Sequence, residues 1–535
     1  MPNISYNSRG GIIHWGREDW FAGLLPNYTN STSGGVSDAR TLLGKGFGMM
    51  AGIDPYRYPG MLSPGVQPAD VGEVSVVSSA IVAGVSDGAT AYLVGGTKNQ
   101  ILTLSGTPAL TNPSPNTITA AAGHSDHTGI TAEDVVVYSA MVSSTRAKRR
   151  FYSWYDGTDG DIGMETGGTY NDDYMTTVPS GFAASIVTGP IPMIVGTDDI
   201  LYFGNGNNLG SFDGSVAADG VVVYNKLVLP KDFIITCLVN LPNYLVIFAS
   251  TQTNANNTYR GDSVAFFWDK RSADPTFSYP IQTSYVTAAF NYGTSIGCFG
   301  TGISTSIGGN NNKLFLFDGS KFNVVKTFPN TCPIRGGVEV VGETIFFATN
   351  GVSNLGTVGI GMYGSSDPSL PKSFNYIGIG AGNSLGMLRN FGGSIFYLSS
   401  GTTTTGGLQK FQSGYELNAR FVTSVVAPQF PPGYRARIKE IKVQYGQIAS
   451  GGRYLDLAIN INKATDNYPI LSSKTSVTQA TLIQRIYRET NLNVSLGAYP
   501  FSTISIYGTY STGASSTAVP PMVESIDIYY TLIKV

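Results

Sequence analysis

The chain has 535 residues, with 33 Lys and Arg against 35 Asp and Glu, a formal net charge of -2, and 13% charged against 42% hydrophobic residues. Near neutrality removes any global attraction for nucleic acid or an anionic membrane, and the apolar content is too high for a disordered chain. With 66 Gly, 31 Tyr and 26 Phe in this low-charge background, the composition is that of an all-β protein with glycine-rich turns.

Residues 1–75 come first. They hold GREDWFAGLLPNYTN and GIDPYRYPGMLSPG, where proline, glycine and aromatics interleave with a period of neither 2 nor 3.6. The reading is an extended arm that lays Trp15, Trp20, Phe21, Tyr56, Tyr58 and Met61 on another surface, in this chain or a neighbour, and on a neighbour it acts as an assembly clamp. The N-terminus has no basic start followed by an apolar run, so no secretory signal is expected. No stretch approaches 18 uninterrupted apolar residues, and no membrane insertion is expected either.

Residues 76–415 carry a degenerate repeat. WYDGTDG, LGSFDGS, FFWDKRS and LFLFDGS each end an apolar run on an aromatic followed by Asp. Taking the run-ending residue as a marker gives Leu104, Tyr155, Phe212, Trp268, Phe317, Tyr363 and Phe411, at intervals of 46 to 57 residues. Each marker follows a second short run, such as TAYLV, DVVVYS, ILYFG, YLVIF, IFFAT or IFYLS, across Gly- and Asn-rich turn chemistry that suits tight hairpins. Three or four short antiparallel strands in about 50 residues make a β-propeller blade. Seven blades are expected, with six or eight within the spread of the intervals. The aromatic packs between blades and the Asp-Gly turns the chain into the outer strand, so Asp213 and Asp318 are read as turn formers.

Chemistry has few places to live in this repeat. The three histidines are His14, His124 and His127, and GHSDH puts His124, Asp126 and His127 close enough in sequence to share a metal. No helix is evident to hold them, and a polar loop between blades is the preferred reading. The pairs Asp172–Asp173 and Asp198–Asp199 are adjacent in sequence, so in a strand their carboxyls face opposite ways and form no glycosidase dyad. DGTDGDIG (156–163) spaces its aspartates like a calcium loop but lacks the register and the terminal Glu. RAKRR (146–150) reads as a solvated strand end or turn, and Cys237, Cys298 and Cys332, without CxxC spacing, as buried thiols. G-x-S-x-G, P-loop, HExxH and sialidase Asp-box patterns are absent from the sequence, so neither a catalytic residue nor a cofactor is expected.

From residue 416 the pattern becomes clean alternation. Leu455, Leu457, Ile459 and Ile461 share one face, as do Ile526, Ile528, Tyr530 and Leu532. With ARIKEIKVQY, TLIQRIY and FSTISIYG, residues 416–535 are expected to form a separate antiparallel β-sandwich entered through the proline-stiffened VAPQFPPGYR.

An arm with GIDPYRYPGMLSPG, a propeller with aromatic-Asp-Gly turns and a terminal β-domain together resemble the propeller-containing nozzle and tail-tip proteins of tailed bacteriophages. The resemblance implies a structural, non-enzymatic virion protein of the tail, homo-oligomeric in a ring, touching other virion proteins and locally the packaged DNA. A glycan-binding or glycan-degrading propeller, such as a depolymerase or lectin that stacks host surface sugars on Tyr and Trp, is the alternative expectation.

Overall fold

The computed structural model describes residues 3–7, 10–16, 20, 47–54, 58, 61–74, 81–86, 90–95, 100–105, 131–142, 145–155, 160–166, 169–181, 186–187, 189–216, 219–251, 261–301, 312–328, 333, 335–349, 357–364, 373–381, 384–391, 394–400, 406–415, 419–423, 426–428, 430–447, 455–461, 468–469, 484–488, 501–510 and 519–534. Among them the structure is almost entirely antiparallel β, with a one-turn helix at Tyr174–Thr177. No helix among them is long and apolar enough to cross a membrane.

Seven sheets stand around one axis as a β-propeller. From inner to outer strand, blade 1 is Ile81–Ser86, Thr90–Gly95 and Gln100–Ser105, and blade 2 is Thr131–Val142, Thr145–Tyr155, Gly160–Thr166 and Thr169–Asn171. Blade 3 is Met193–Val195, Leu201–Asn205, Asn208–Asp213 and Val221–Val228; blade 4 is Ile234–Asn240, Leu245–Ser250, Ser263–Trp268 and Phe277–Ile281. Blade 5 is Tyr285–Tyr292, Ser295–Thr301, Asn312–Phe317 and Phe322–Phe328, and blade 6 is Val338–Val341, Thr344–Thr349, Thr357–Gly364 and Ser373–Ala381. Blade 7 takes Ser384–Phe391, Ser394–Ser400 and Gly406–Tyr415, and its outer strand is Val66–Val74 from the far end of the sequence. Each inner strand touches the next, and that of blade 7 touches that of blade 1. The ring is therefore closed with seven blades, and it begins at residue 66 rather than 76.

The repeated aromatics seal the blades as their spacing suggests. Phe212 ends the third strand of blade 3 and lies 5.6 Å from Tyr138 and 5.2 Å from Phe151 of blade 2, ring centre to ring centre. Trp268 of blade 4 meets Tyr202 of blade 3 at 5.8 Å, and Phe317 of blade 5 meets Phe267 and Tyr279 of blade 4 at 5.2 and 5.0 Å. Behind Phe212 the chain returns through Gly220 at φ 78°, where a Cβ would stand 2.3 Å from the Phe212 ring; only glycine fits both the dihedral and the space. Leu104 and Tyr363 also lie in third strands, and Phe411 lies within one that continues to Tyr415. Tyr155 is the exception: it ends the second strand of blade 2, and DVVVYS is that blade's inner strand. WYDGTDG joins the second strand to the third, so that marker sits one strand early.

The remaining strands build a second body from both ends of the chain. One five-stranded sheet runs Asn3–Asn7, Gly10–Trp15, Met522–Lys534, Tyr434–Gln447, Gln484–Arg488; the other runs Phe47–Ala51, Arg420–Thr423, Ile504–Tyr510, Leu455–Ile461, Tyr468–Pro469. The apolar faces anticipated at Leu455–Ile461 and Ile526–Tyr530 are buried in one cluster with Ile13, Trp15, Trp20, Phe47, Ile53 and Leu62. Trp15 and Trp20 are fully buried, and the Trp20 indole donates to the Glu524 carbonyl at 2.9 Å. The clamp reading is corrected on this point: two of its anchors fill the chain's own core, because the C-terminal strands alone leave one sheet without its Gly10–Trp15 flank and the other without Phe47–Ala51. Tyr58 and Met61 are half-buried, and Phe21 and Tyr56 lie outside the described residues. The boundary at 416 is corrected for the same reason.

Residues 416–535 expressed alone should therefore give no cooperative melt, whereas residues 1–65 joined through a flexible linker to 416–535 should fold, as far-ultraviolet circular dichroism would show. In the ring, Phe212→Ala should cost about 3 to 5 kcal/mol, the range for aromatic core truncations, read from denaturant midpoints.

Candidate functional site

The axis of a propeller is where all blades present side chains at once, and here one arginine crosses it. Arg335 opens a single 3-10 turn, Arg335–Gly337, just before the inner strand of blade 6. Its next residue, Gly336, is so close to blade 1 that a Cβ would come 1.8 Å from the Val82 carbonyl oxygen. That close approach aims Arg335 across the ring. One Nη donates to Glu133 Oε2 of blade 2 at 2.6 Å, and the other stands 3.6 Å from Asp134 Oδ2.

Asp134 is tied down in turn. It accepts the amide of Val135 at 2.9 Å and that of Met193, on the inner strand of blade 3, at 3.0 Å. Buried Cys237 of blade 4 and Tyr285 of blade 5 feel the Arg335 charge. Burial opposes the charge on Arg335, but Glu133 and Asp134 outweigh it and hold the guanidinium firmly protonated. Burial pushes the Cys237 thiol up to about 11 and also raises the Tyr285 hydroxyl. At neutral pH neither is an anion, and a thiol in that state is inert as a nucleophile. Arg389 makes a second tie, donating to the carbonyls of Gly84 in blade 1 at 3.0 Å and Val338 in blade 6 at 2.7 Å, with Glu339 at 3.7 Å. The arrangement ties inner strands of blades 1, 2, 3 and 6 together through paired charge.

The carboxylates singled out in the sequence are occupied by the fold. Asp172 is buried and accepts the Tyr152 hydroxyl at 2.6 Å, while Asp173 precedes the one-turn helix. Asp198 accepts the Tyr202 hydroxyl at 2.7 Å, and Asp199 sits in a turn at φ 61°. Asp213, Asp269 and Asp318 each accept the amide and hydroxyl of a serine two or three residues on. Those bonds, led by the Ser320 amide, hold the Asp318 carboxyl well below the usual range, as a turn former should be. Of the calcium-like loop, Asp161 accepts the Ile162 amide at 2.6 Å and the Thr176 hydroxyl. RAKRR lies at the start of the strand Thr145–Tyr155, as expected, with Lys148 exposed, but Arg150 is not a solvated charge: it pairs with Glu165 at 2.6 Å and reaches the Tyr92 hydroxyl of blade 1 at 2.6 Å.

His124, Asp126, His127 and Cys332 lie outside the described residues, and Cys298 is buried beside Cys237 in one apolar cluster. Among the described residues no group of three His, Cys, Asp or Glu could hold a metal ion. The axial charges went unnoticed in the sequence. Their signal was isolation, since TAEDVVVY, IRGGVEV and MLRNF place charge inside apolar inner-strand runs of a chain that has little charge.

Arg335→Met strands Glu133 and Asp134 at the axis and should destabilise the protein by about 3 kcal/mol or more, as breaking a buried pair does. Chemical denaturation would measure it. In the native protein the Cys237 thiol should resist a thiol reagent at pH 8 and react on unfolding.

No family model and no curated protein matches the chain. Among solved structures it is similar to Chaetomium thermophilum Raptor, at 9% identity and a TM-score of 0.41 over 64% of this chain, which spans only 29% of that one. It is also similar to the Neurospora crassa Pan2 WD40 domain, at 10% identity and a TM-score of 0.39 over 65% of this chain and 97% of that one. The Dos1 propeller compares at 9% identity and a TM-score of 0.39, over 66% and 95% of the two chains.

Proposed function

We propose that the protein is a non-enzymatic structural component of a tailed-bacteriophage virion, a nozzle, tail-tip or adaptor-like part that assembles as a homo-oligomeric ring against other virion proteins. The observation that carries this reading is the way the two bodies are joined. Val66–Val74 pairs with Gly406–Tyr415 in blade 7, and Phe47–Ala51 pairs with Arg420–Thr423 in the second body. Residues 52–65 and 416–419 separate these strands in the sequence, so the chain passes between the bodies twice in place of a single linker. Two short connections restrict relative motion more than one linker would, which suits an assembled particle better than a substrate-closing enzyme.

With Trp15 and Trp20 buried internally, contacts between copies fall to other surfaces. Val223 and Val228 on the outer strand of blade 3 are 39% and 53% exposed, and such apolar exposure on a rim strand fits a neighbour. Because Arg335 is already paired with Glu133 and Asp134, the proposed contact with packaged DNA is drawn to the middle of the ring of copies and not to the axis of one propeller.

Val228→Asp should leave the melting temperature unchanged and abolish ring formation in analytical ultracentrifugation. Electron cryo-imaging of native particles is the decisive test: a ring of copies on the tail is expected, and a soluble monomer that cleaves glycans would overturn the assignment.

A further inference from the structure

At the rim where blades 4 and 5 meet, aromatic side chains are stacked from the core outward. Phe248 and Phe322 lie 5.9 Å apart, Phe322 and Phe317 5.0 Å, Phe317 and Phe267 5.2 Å, and Tyr279 stands 5.4 Å from Phe267 and 5.0 Å from Phe317. Outermost, Tyr244 and Phe277 meet at 5.9 Å with their planes 67° apart, forming an aromatic corner. Phe277 is 48% exposed, while Tyr244 and Tyr279 are half-buried.

The geometry points to a carbohydrate-stacking site at this corner, with a neutral hexopyranose glycan as the ligand. Three observations favour a sugar. First, a pyranose has an apolar C–H face and a rim of hydroxyls, and here the exposed Phe277 ring and the half-buried Tyr244 ring lie in segments with hydrogen-bonding groups that the protein leaves open. Among the described residues, the hydroxyls of Tyr244 and Tyr279 have no protein partner, nor do the amide of Asn243, which precedes Tyr244, and the carboxylate of Asp274, in the turn leading to Phe277. Second, the rings are held by the aromatic stack beneath them, so little side-chain entropy is lost on binding. Third, the adjacent edge strand Phe277–Ile281 is five residues long and carries Pro280, which blunts it against pairing with a peptide strand. Nearby charges are mixed, with Arg271 and Lys321 set against Asp274, and give no anion-attracting field. This site is independent of the assembly reading, since a virion component and a free lectin could both carry it.

Saturation-transfer-difference NMR on the full chain with cellohexaose, maltohexaose, laminarihexaose and chitohexaose tests the site. At least one hexasaccharide should give transfer to its ring C–H protons, and Phe277→Ala should weaken that binding by about tenfold, the loss of one good aromatic contact, with an unchanged melting temperature. Tyr244→Phe, which removes only a hydroxyl, should weaken it less and serves as the milder variant if Phe277→Ala perturbs folding. The site would be refuted by absence of transfer from all four sugars, by binding that neither variant alters, or by binding of only acidic oligosaccharides or a proline-rich peptide.

Discussion

The pairing of Val66–Val74 with Gly406–Tyr415 is the contact on which the rest of the ring depends. Six blades are each local, made by hairpins of consecutive strands, but the seventh is completed by a segment more than 330 residues away in sequence. Closing a loop of that length costs on the order of 5 kcal/mol in chain entropy. A ladder of backbone bonds along blade 7 offsets it, and the inner strand of blade 7 touches that of blade 1 to complete the circle. The inner strands, their interblade aromatics and the Arg335 crossing all presuppose a closed circle.

How much of this was legible in the sequence depended on whether the signal was local. Third-strand endings such as Phe212, Trp268 and Phe317 were readable because an aromatic followed by an Asp turn is chemistry within four residues. The register of blade 2 was not, since WYDGTDG has the same turn chemistry at a different corner of the blade. The N-terminal segment misled for the opposite reason. Trp15 and Trp20 sit in Gly- and Pro-rich sequence, and nothing within residues 1–75 says that Ile526 and Ile528 lie across from Ile13 and Trp15. The axial site was equally silent: Glu133 and Arg335 are 202 positions apart, and no spacing rule links residues that meet only when a ring closes.

The axial charges also divide two roles that propellers often combine. A channel lined by open polar groups offers a ligand cavity, but Arg335 with Glu133 and Asp134, and Arg389 with the Gly84 and Val338 carbonyls, use the same space for cohesion. The proposed glycan site lies instead at the rim, where the aromatic packing that seals blades 4 and 5 surfaces at Tyr244 and Phe277. One residue type serves both purposes because a ring that packs edge-to-face against a neighbour can still present its other face to water.

The strand order of the second body has a consequence for synthesis on the ribosome. Met522–Lys534 lies between Gly10–Trp15 and Tyr434–Gln447, so Gly10–Trp15 must pair with a segment that emerges about 500 residues later. At bacterial or eukaryotic elongation speeds the wait is on the order of a minute, during which Trp15 and Trp20 lack Ile526 and Ile528 of their cluster. A nascent chain in that state is a substrate for holding chaperones, and a ribosome stalled before residue 522 yields a finished propeller with an unfinished partner. Vectorial production thus makes Met522–Lys534 a quality checkpoint, because only chains that reach it acquire both bodies.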